Sequence, residues 1–157
     1  MKTDWKKLII SILVCQLAGI IGSLFTTPAI DSWYAFLNKP VLRPPNWLFA
    51  PVWLTLYLMM GVSAYLIWQK GLAKKEVKTA LAIFLIQLVL NSFWSIIFFG
   101  MKNLSLALIE ILILWVFILL SIIKFYPTDK KAAWLLVPYL AWVSFASYLT
   151  YSILRLN

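Results

Sequence analysis

The chain has 157 residues, of which 64% are hydrophobic and 12% are charged, and its mean hydropathy is +0.92. The polar residues are too few to cover the surface of a water-soluble globule. The composition therefore excludes a soluble domain and indicates an integral membrane protein. The formal net charge of +9 comes from cations beside apolar runs, where membrane topology and anionic lipid explain them without a nucleic-acid partner.

Five apolar runs are long enough to cross a bilayer as α-helices, since about 20 residues span a hydrocarbon core of about 30 Å. Their continuous apolar character excludes a β-barrel, whose strands alternate apolar and polar residues. The first run is too long for a signal peptide and is followed by no cleavage site. We therefore predict an all-α integral membrane protein, a single domain over 1–157 with five transmembrane helices near 6–27, 50–69, 80–100, 105–123 and 134–154.

The loop predicted at about 28–49 and the start of the second run are rich in aromatic residues and proline. The rings are Trp33, Tyr34, Trp47, Trp53 and Tyr57, and the prolines are Pro40, Pro44, Pro45 and Pro51. A simple connector between two membrane helices needs neither the rings nor the stiffening that proline gives. We therefore predict that this segment is a lid over a flat, apolar ligand.

Positive charge is divided unevenly between the two ends of the predicted helices. Ten of the 14 Lys and Arg residues lie before the first run or in the connections after the second and fourth: Lys2, Lys6, Lys7, Lys70, Lys74, Lys75, Lys78, Lys124, Lys130 and Lys131. The positive-inside rule then predicts a cytoplasmic N-terminus and an external first loop. A Lys- and Ile-rich chain without a targeting peptide favours a bacterial plasma membrane.

The residues that are missing restrict the chemistry. There is no histidine, and Cys15 is the single cysteine, which excludes the usual catalytic triads, thiolate clusters and histidine-ligated haem. We expect no metal and no resident cofactor. Glu110 is the only carboxylate well inside a run, and two interpretations stay open: a functional group, or a residue that reaches interfacial water or Lys102.

Three of the predicted helices carry an aromatic stripe at helical spacing. Amides in such a stripe must point into the bundle, because in lipid they would lack hydrogen-bond partners. Packing alone explains many such stripes, but rings inside a helix beside polar or small residues favour a pocket. The stripes are Trp53 and Tyr57 in the second helix, Gln87, Asn91, Trp94, Ser95 and Phe98 in the third, and Trp142, Phe145, Ala146 and Leu149 in the fifth.

Three segments together resemble the translocator protein or tryptophan-rich sensory protein (TspO/MBR) family: WYxxLxKPxxxPPxWxFxPVWxxLYxxMG at 33–61, QLxLNxxWxxxFFG at 87–100 and PYLAWxxFAxxL at 138–149. The resemblance implies a five-helix membrane protein, commonly a homodimer. It also implies a pocket that opens toward the first loop and binds porphyrins, sterols and benzodiazepine-like or isoquinoline drugs. By position, that pocket would be lined by Tyr34, Pro44, Pro45, Trp47, Trp53, Asn91, Trp94, Trp142 and Ala146.

A porphyrin suits these residues, because indole rings can stack on its two faces and Lys39 and Arg43 can pair with its propionates. Without histidine, metal-free porphyrin is favoured over haem. The family is also linked to light-dependent oxidative breakdown of protoporphyrin, for which Trp53 and Trp142 are the candidate electron donors. We predict a membrane receptor or sensor for tetrapyrroles and drug-like ligands. The alternatives are an enzyme of this kind and a transporter of porphyrin, sterol or lipid.

Overall fold

The computed structural model describes residues 2–157, and in this range the chain forms six α-helices. Three of them each cross the membrane alone, α3 does so together with a π-helical turn at Ile96–Gly100, and α5 and α6 form one span broken at Leu136. The prediction of an all-α membrane protein with five spanning helices is therefore confirmed. The helices are α1 (Trp5–Ile30), α2 (Asn46–Trp68), α3 (Lys75–Ser95), α4 (Leu104–Phe125), α5 (Lys130–Leu135) and α6 (Val137–Leu156).

Polar side chains mark where three of the helices begin. The Asp4 carboxylate accepts from the Lys7 amide at 3.2 Å, and the Asn103 side chain accepts from the Leu106 amide at 3.0 Å. The Asp129 carboxylate likewise caps the first turn of α5. Such caps satisfy backbone N–H groups that have no partner within a helix.

The first loop is shorter than the predicted 28–49, because both flanking helices extend into it. Helix α1 continues through Pro28 to Ile30, and α2 begins at Asn46, directly after the extended Pro45. Between them, Tyr34–Phe36 form a short 3₁₀ turn. Proline near a helix end removes few hydrogen bonds, so Pro28 is accommodated in α1 and Pro51 in α2, whereas Pro40, Pro44 and Pro45 lie before α2 begins.

The spanning helices form a closed ring. Helix α1 packs against α2 and α3, α3 packs against α4, α4 packs against α6, and α5 returns to α2. We call the end with the N-terminus and the α2–α3 and α4–α5 connections the lysine-rich face, and the end with the first loop the opposite face. Close contacts between small residues hold α1 against α3, where the Ser92 hydroxyl donates to the Ala18 carbonyl oxygen at 2.9 Å. The Ala18 and Gly22 pair thus serves packing within the chain.

Candidate ligand-binding site

A cavity of about 250 Å³ lies between α1, α2, α3, α4 and α6 at the opposite face, next to the first loop. Its wall is mainly apolar, and aromatic rings form much of it. These rings are Tyr34, Phe49, Trp53, Tyr57, Trp94, Phe98, Phe99 and Trp142.

The rings form two clusters. In the first, the Trp53 ring stacks on Tyr57 at 5.6 Å and meets the Trp142 ring edge-on at 6.5 Å. In the second, Trp94 stacks on Phe98 at 4.9 Å, and Tyr34 packs against Phe98 at 6.2 Å. Helix α6 thus approaches α2 through ring contacts, and the cavity is walled by rigid aromatic surfaces suited to a flat ligand.

A buried hydrogen-bond network fixes the polar part of the wall. The Tyr57 hydroxyl donates to the side-chain oxygen Oδ1 of Asn91, and the side-chain Nδ2 of Asn91 donates to the Tyr139 hydroxyl at 2.7 Å. The Tyr139 hydroxyl in turn donates to the side-chain oxygen Oε1 of Gln87 at 2.8 Å. Tyr57 and Asn91 line the cavity, while Gln87 and Tyr139 lie behind them. The network links α2, α3 and α6 and orients the two polar groups that a ligand can reach.

Helix α1 contributes a wall that the sequence analysis missed. Gly19, Gly22, Ser23, Thr26 and Thr27 line the cavity. A Cβ atom at Gly19 would lie 2.5 Å from the Tyr57 ring, so only glycine lets α1 approach this closely. The spacing of the small residues 19, 22, 23 and 26 on one helical face was the available signal.

The structure brings eight of the thirteen predicted ligand-binding residues to the cavity wall: Tyr34, Trp53, Tyr57, Asn91, Trp94, Phe98, Trp142 and Ala146. It places the other five elsewhere. Gln87 lies behind the wall, and Phe145 packs against the Trp142 ring at 6.2 Å. Pro44, Pro45 and Trp47 lie outside it at the start of α2, and Trp47 is 71% exposed.

The two predicted propionate partners hold the first loop together instead of lining the cavity. The Lys39 ammonium donates to the carbonyl oxygens of Tyr34 at 2.8 Å, Leu37 at 3.0 Å and Ala35 at 3.3 Å. It also lies 4.8 Å from the centre of the Tyr34 ring, and Arg43 donates to the Pro40 carbonyl oxygen at 2.9 Å. Sequence spacing cannot show that a lysine closes its own turn.

Burial and the charge of Arg43 shift the pKa values of Lys39 and Tyr34 in the first loop. Desolvation lowers the pKa of Lys39, and the positive charge of Arg43 lowers it further. Desolvation raises the pKa of the Tyr34 hydroxyl, while Arg43 opposes that shift. Tyr34 therefore stays a neutral hydrogen-bonding group at the cavity wall around neutral pH.

The first loop is also tied to the end of α6. The Asn38 backbone amide donates to the Asn157 side-chain oxygen at 3.1 Å, and the Asn157 side-chain amide donates to the Asn38 carbonyl oxygen at 2.9 Å. The Asn38 side chain adds a bond to the Leu156 carbonyl oxygen at 3.2 Å. We call these contacts the Asn38–Asn157 latch. It holds the loop beside the cavity.

Glu110 does not reach interfacial water or Lys102. Its side chain is 7% exposed, and within residues 2–157 neither carboxyl oxygen has a hydrogen-bond partner. The neighbouring Ile111 lines the cavity, but Glu110 does not. The residue therefore faces the packed interior beside the cavity.

These features define a multi-pass membrane protein with an aromatic cavity between its helices. The TspO/MBR family profile matches residues 11–156. The chain belongs to this family, as the three motifs indicated.

Relatives in bacteria, archaea and animals match nearly the whole chain. The tryptophan-rich protein TspO of Chlorobaculum tepidum is 46% identical over 92% of this chain and 91% of its own length. The protein of the same name from Archaeoglobus fulgidus is 43% identical over 96% of this chain and 97% of its own length. The translocator protein of Homo sapiens is 38% identical over 92% of this chain and 86% of its own length.

Proposed function

We propose that the protein is a membrane receptor that binds tetrapyrroles and similar flat, drug-like ligands in the aromatic cavity. The observation that carries this proposal is the wall itself, in which three indoles from three different helices surround one space. Trp53, Trp94 and Trp142 supply large apolar faces, and Asn91 with Tyr57 supplies a small number of fixed polar groups. This combination is the usual composition of a small-molecule site.

The size of the cavity adds a condition. Sites for drug-sized ligands typically enclose about 300–1,000 Å³, and this cavity of about 250 Å³ lies just below that range. A porphyrin therefore fits only with part of its edge at the mouth or after the first loop moves outward. Its propionates would then lie near the loop, where Lys39 can reach them only by giving up its carbonyl contacts.

The test is a titration of detergent-solubilised protein with metal-free protoporphyrin, followed by quenching of tryptophan fluorescence in the dark. Ala146→Leu fills part of the cavity and is expected to weaken binding at least tenfold. Ala141→Leu is the matched control, because Ala141 lies five residues earlier on α6, is exposed and does not line the cavity. Quenching that does not saturate, or that both variants change equally, would exclude the cavity as the porphyrin site.

A second candidate function is light-dependent oxidation of the bound porphyrin, and the pairing of Trp53 with Trp142 favours it. Both indoles line the cavity and their rings meet edge-on, so the positive charge left when either indole loses an electron can be shared between them. In this proposal the photoexcited macrocycle takes one electron from an indole and passes it to dioxygen, which becomes superoxide. The indole radical cation then regains an electron from the macrocycle, so the net step is one-electron oxidation of the porphyrin by dioxygen. The protein supplies position and the porphyrin supplies the photochemistry.

The measurement is loss of porphyrin absorbance under illumination with dioxygen present. Trp53→Phe and Trp142→Phe are expected to slow the loss while binding in the dark persists. Trp134→Phe is the control, since Trp134 is 65% exposed and lies outside the cavity. Equal rates in all three variants would exclude an electron donor role and leave the receptor proposal intact.

A further inference from the structure

A second concavity lies at the lysine-rich half of the bundle and shares no residue with the aromatic cavity. It is a groove of about 390 Å³ between α1 and α3, with α2 as its floor. Ser11, Cys15, Ala64 and Phe84 are buried at its base. Exposed apolar side chains form its rim: Ile10, Val14, Leu72 and Leu85. We call it the α1–α3 groove.

The α1–α3 groove lies nearer the lysine-rich face than the contact between the two helices does. Nearer the opposite face, small residues let the two helices touch, as at Ala18 and Ser92, and a Cβ at Gly22 would lie 3.0 Å from the Ser95 hydroxyl. In the lysine-rich half, the larger Ile10 and Val14 on α1 and Leu81 and Leu85 on α3 line the groove. A narrow apolar channel therefore faces lipid.

One end of the α1–α3 groove is positively charged. Lys78 forms part of its wall. The Lys7 ammonium lies 5.5 Å from the centre of the Trp68 ring, and Trp68 is itself part of the groove. The first turn of α3 has no side-chain cap at Lys74, and its positive dipole end points to the same face. Two cations and an indole thus surround the end of an apolar channel.

We propose that the α1–α3 groove binds one anionic phospholipid from the leaflet at the lysine-rich face. One acyl chain lies in the apolar channel, and the phosphate lies between the ammonium groups of Lys7 and Lys78. The apolar rim explains why the occupant is a lipid chain, and the two cations explain why an anionic headgroup is preferred over a zwitterionic one. Glu76 does not oppose this, because two residues of helix place it about 200° from Lys78.

The experiment measures lipid retention by native mass spectrometry of the full-length protein. The protein is released from detergent carrying equal amounts of phosphatidylglycerol and phosphatidylcholine with identical acyl chains. Wild type is expected to retain one phosphatidylglycerol in strong preference to phosphatidylcholine. Each lysine near the headgroup contributes about fivefold to that preference, so Lys7→Gln with Lys78→Gln is expected to lower it about 25-fold.

The matched control is Lys130→Gln with Lys131→Gln, which removes the same charge from the same face at the start of α5. Ala82→Trp blocks the channel and is expected to abolish retention of either lipid. Val89→Trp, two turns further along the same face of α3 and outside the groove, is expected to leave retention unchanged. If both lysine pairs lower the preference equally, the effect is general surface charge and the proposal is wrong. Retention that survives Ala82→Trp would also overturn it.

Discussion

The hydrogen-bond network behind the cavity gives the sharpest stability prediction, and Tyr139→Phe is the change that tests it. The Tyr139 hydroxyl accepts from the side-chain Nδ2 of Asn91 and donates to the side-chain Oε1 of Gln87. Phenylalanine keeps the ring and its contact with Trp53 at 6.3 Å but removes both bonds. One donor and one acceptor are then left without partners in a buried site.

Two reference magnitudes bear on the size of the effect. An orphaned buried polar group in soluble proteins costs about 1–3 kcal/mol, whereas interhelical hydrogen bonds in membrane proteins average about 0.6 kcal/mol. Gln87 and Tyr139 are almost completely buried, and the space left by the missing hydroxyl is too small for water. The larger of the two costs, that of an orphaned buried polar group, therefore applies. We expect a loss of about 2 kcal/mol, or about thirtyfold in the unfolding equilibrium constant.

The assay is reversible unfolding in mixed micelles with increasing SDS, followed by circular dichroism. Tyr151→Phe is the control, because Tyr151 is half exposed and makes no hydrogen bond through its hydroxyl within residues 2–157. Combining Gln87→Leu with Tyr139→Phe removes the orphaned Gln87 side chain, so the double variant is expected to lose less free energy of unfolding than the two single variants together. Equal stability of the two tyrosine variants, or strict additivity in the pair, would refute the reasoning.

Three further changes address the helix contacts, the buried acid and the loop. Gly61→Ala puts a Cβ 2.6 Å from the Ile12 backbone and is expected to destabilise the folded protein by about 1–3 kcal/mol. Gly100→Ala is expected to cost less, because its Cβ meets only the Phe25 ring, and unfolding in SDS compares the two variants. Glu110→Leu removes two unpartnered oxygens and is expected to stabilise by about 1–3 kcal/mol with porphyrin affinity unchanged; lower stability would contradict this. Asn157→Ala opens the Asn38–Asn157 latch and is expected to speed porphyrin association in stopped-flow quenching, with Asn103→Ala as the control.

The number and type of helices could be predicted because bilayer thickness imposes a run length that composition shows directly. The positions of the helix ends were harder to predict. The first helix was predicted to end near residue 27 and the second to begin near residue 50, yet α1 continues through Pro28 to Ile30 and α2 begins at Asn46, because a membrane environment tolerates proline within helices. The break at Leu136 within the last span was also missed, since the apolar pattern continues through it.

The site was predictable where a stripe on one helix determines which side chains face inward. Trp53, Asn91 and Trp142 were found this way and line the cavity. Contacts between segments distant in the chain gave no such signal. Lys39 was assigned to a ligand because its charge suited propionates, but its partners are carbonyl groups of its own turn, and only the folded loop shows them.

The aromatic cavity and the α1–α3 groove lie on either side of the contact between α1 and α3 at Ala18 and Ser92, and a final prediction follows from this arrangement. The Ser92 bond to Ala18 and the packing at Gly22 separate the two spaces, which share no lining residue. Changes in one are therefore expected to be independent of the other. Ala82→Trp should leave the protoporphyrin dissociation constant within twofold of wild type, both in phosphatidylglycerol and in phosphatidylcholine membranes. A tenfold change would mean that the groove sets the separation of α1 and α3 at the cavity, and that lipid acts on ligand binding through these helices.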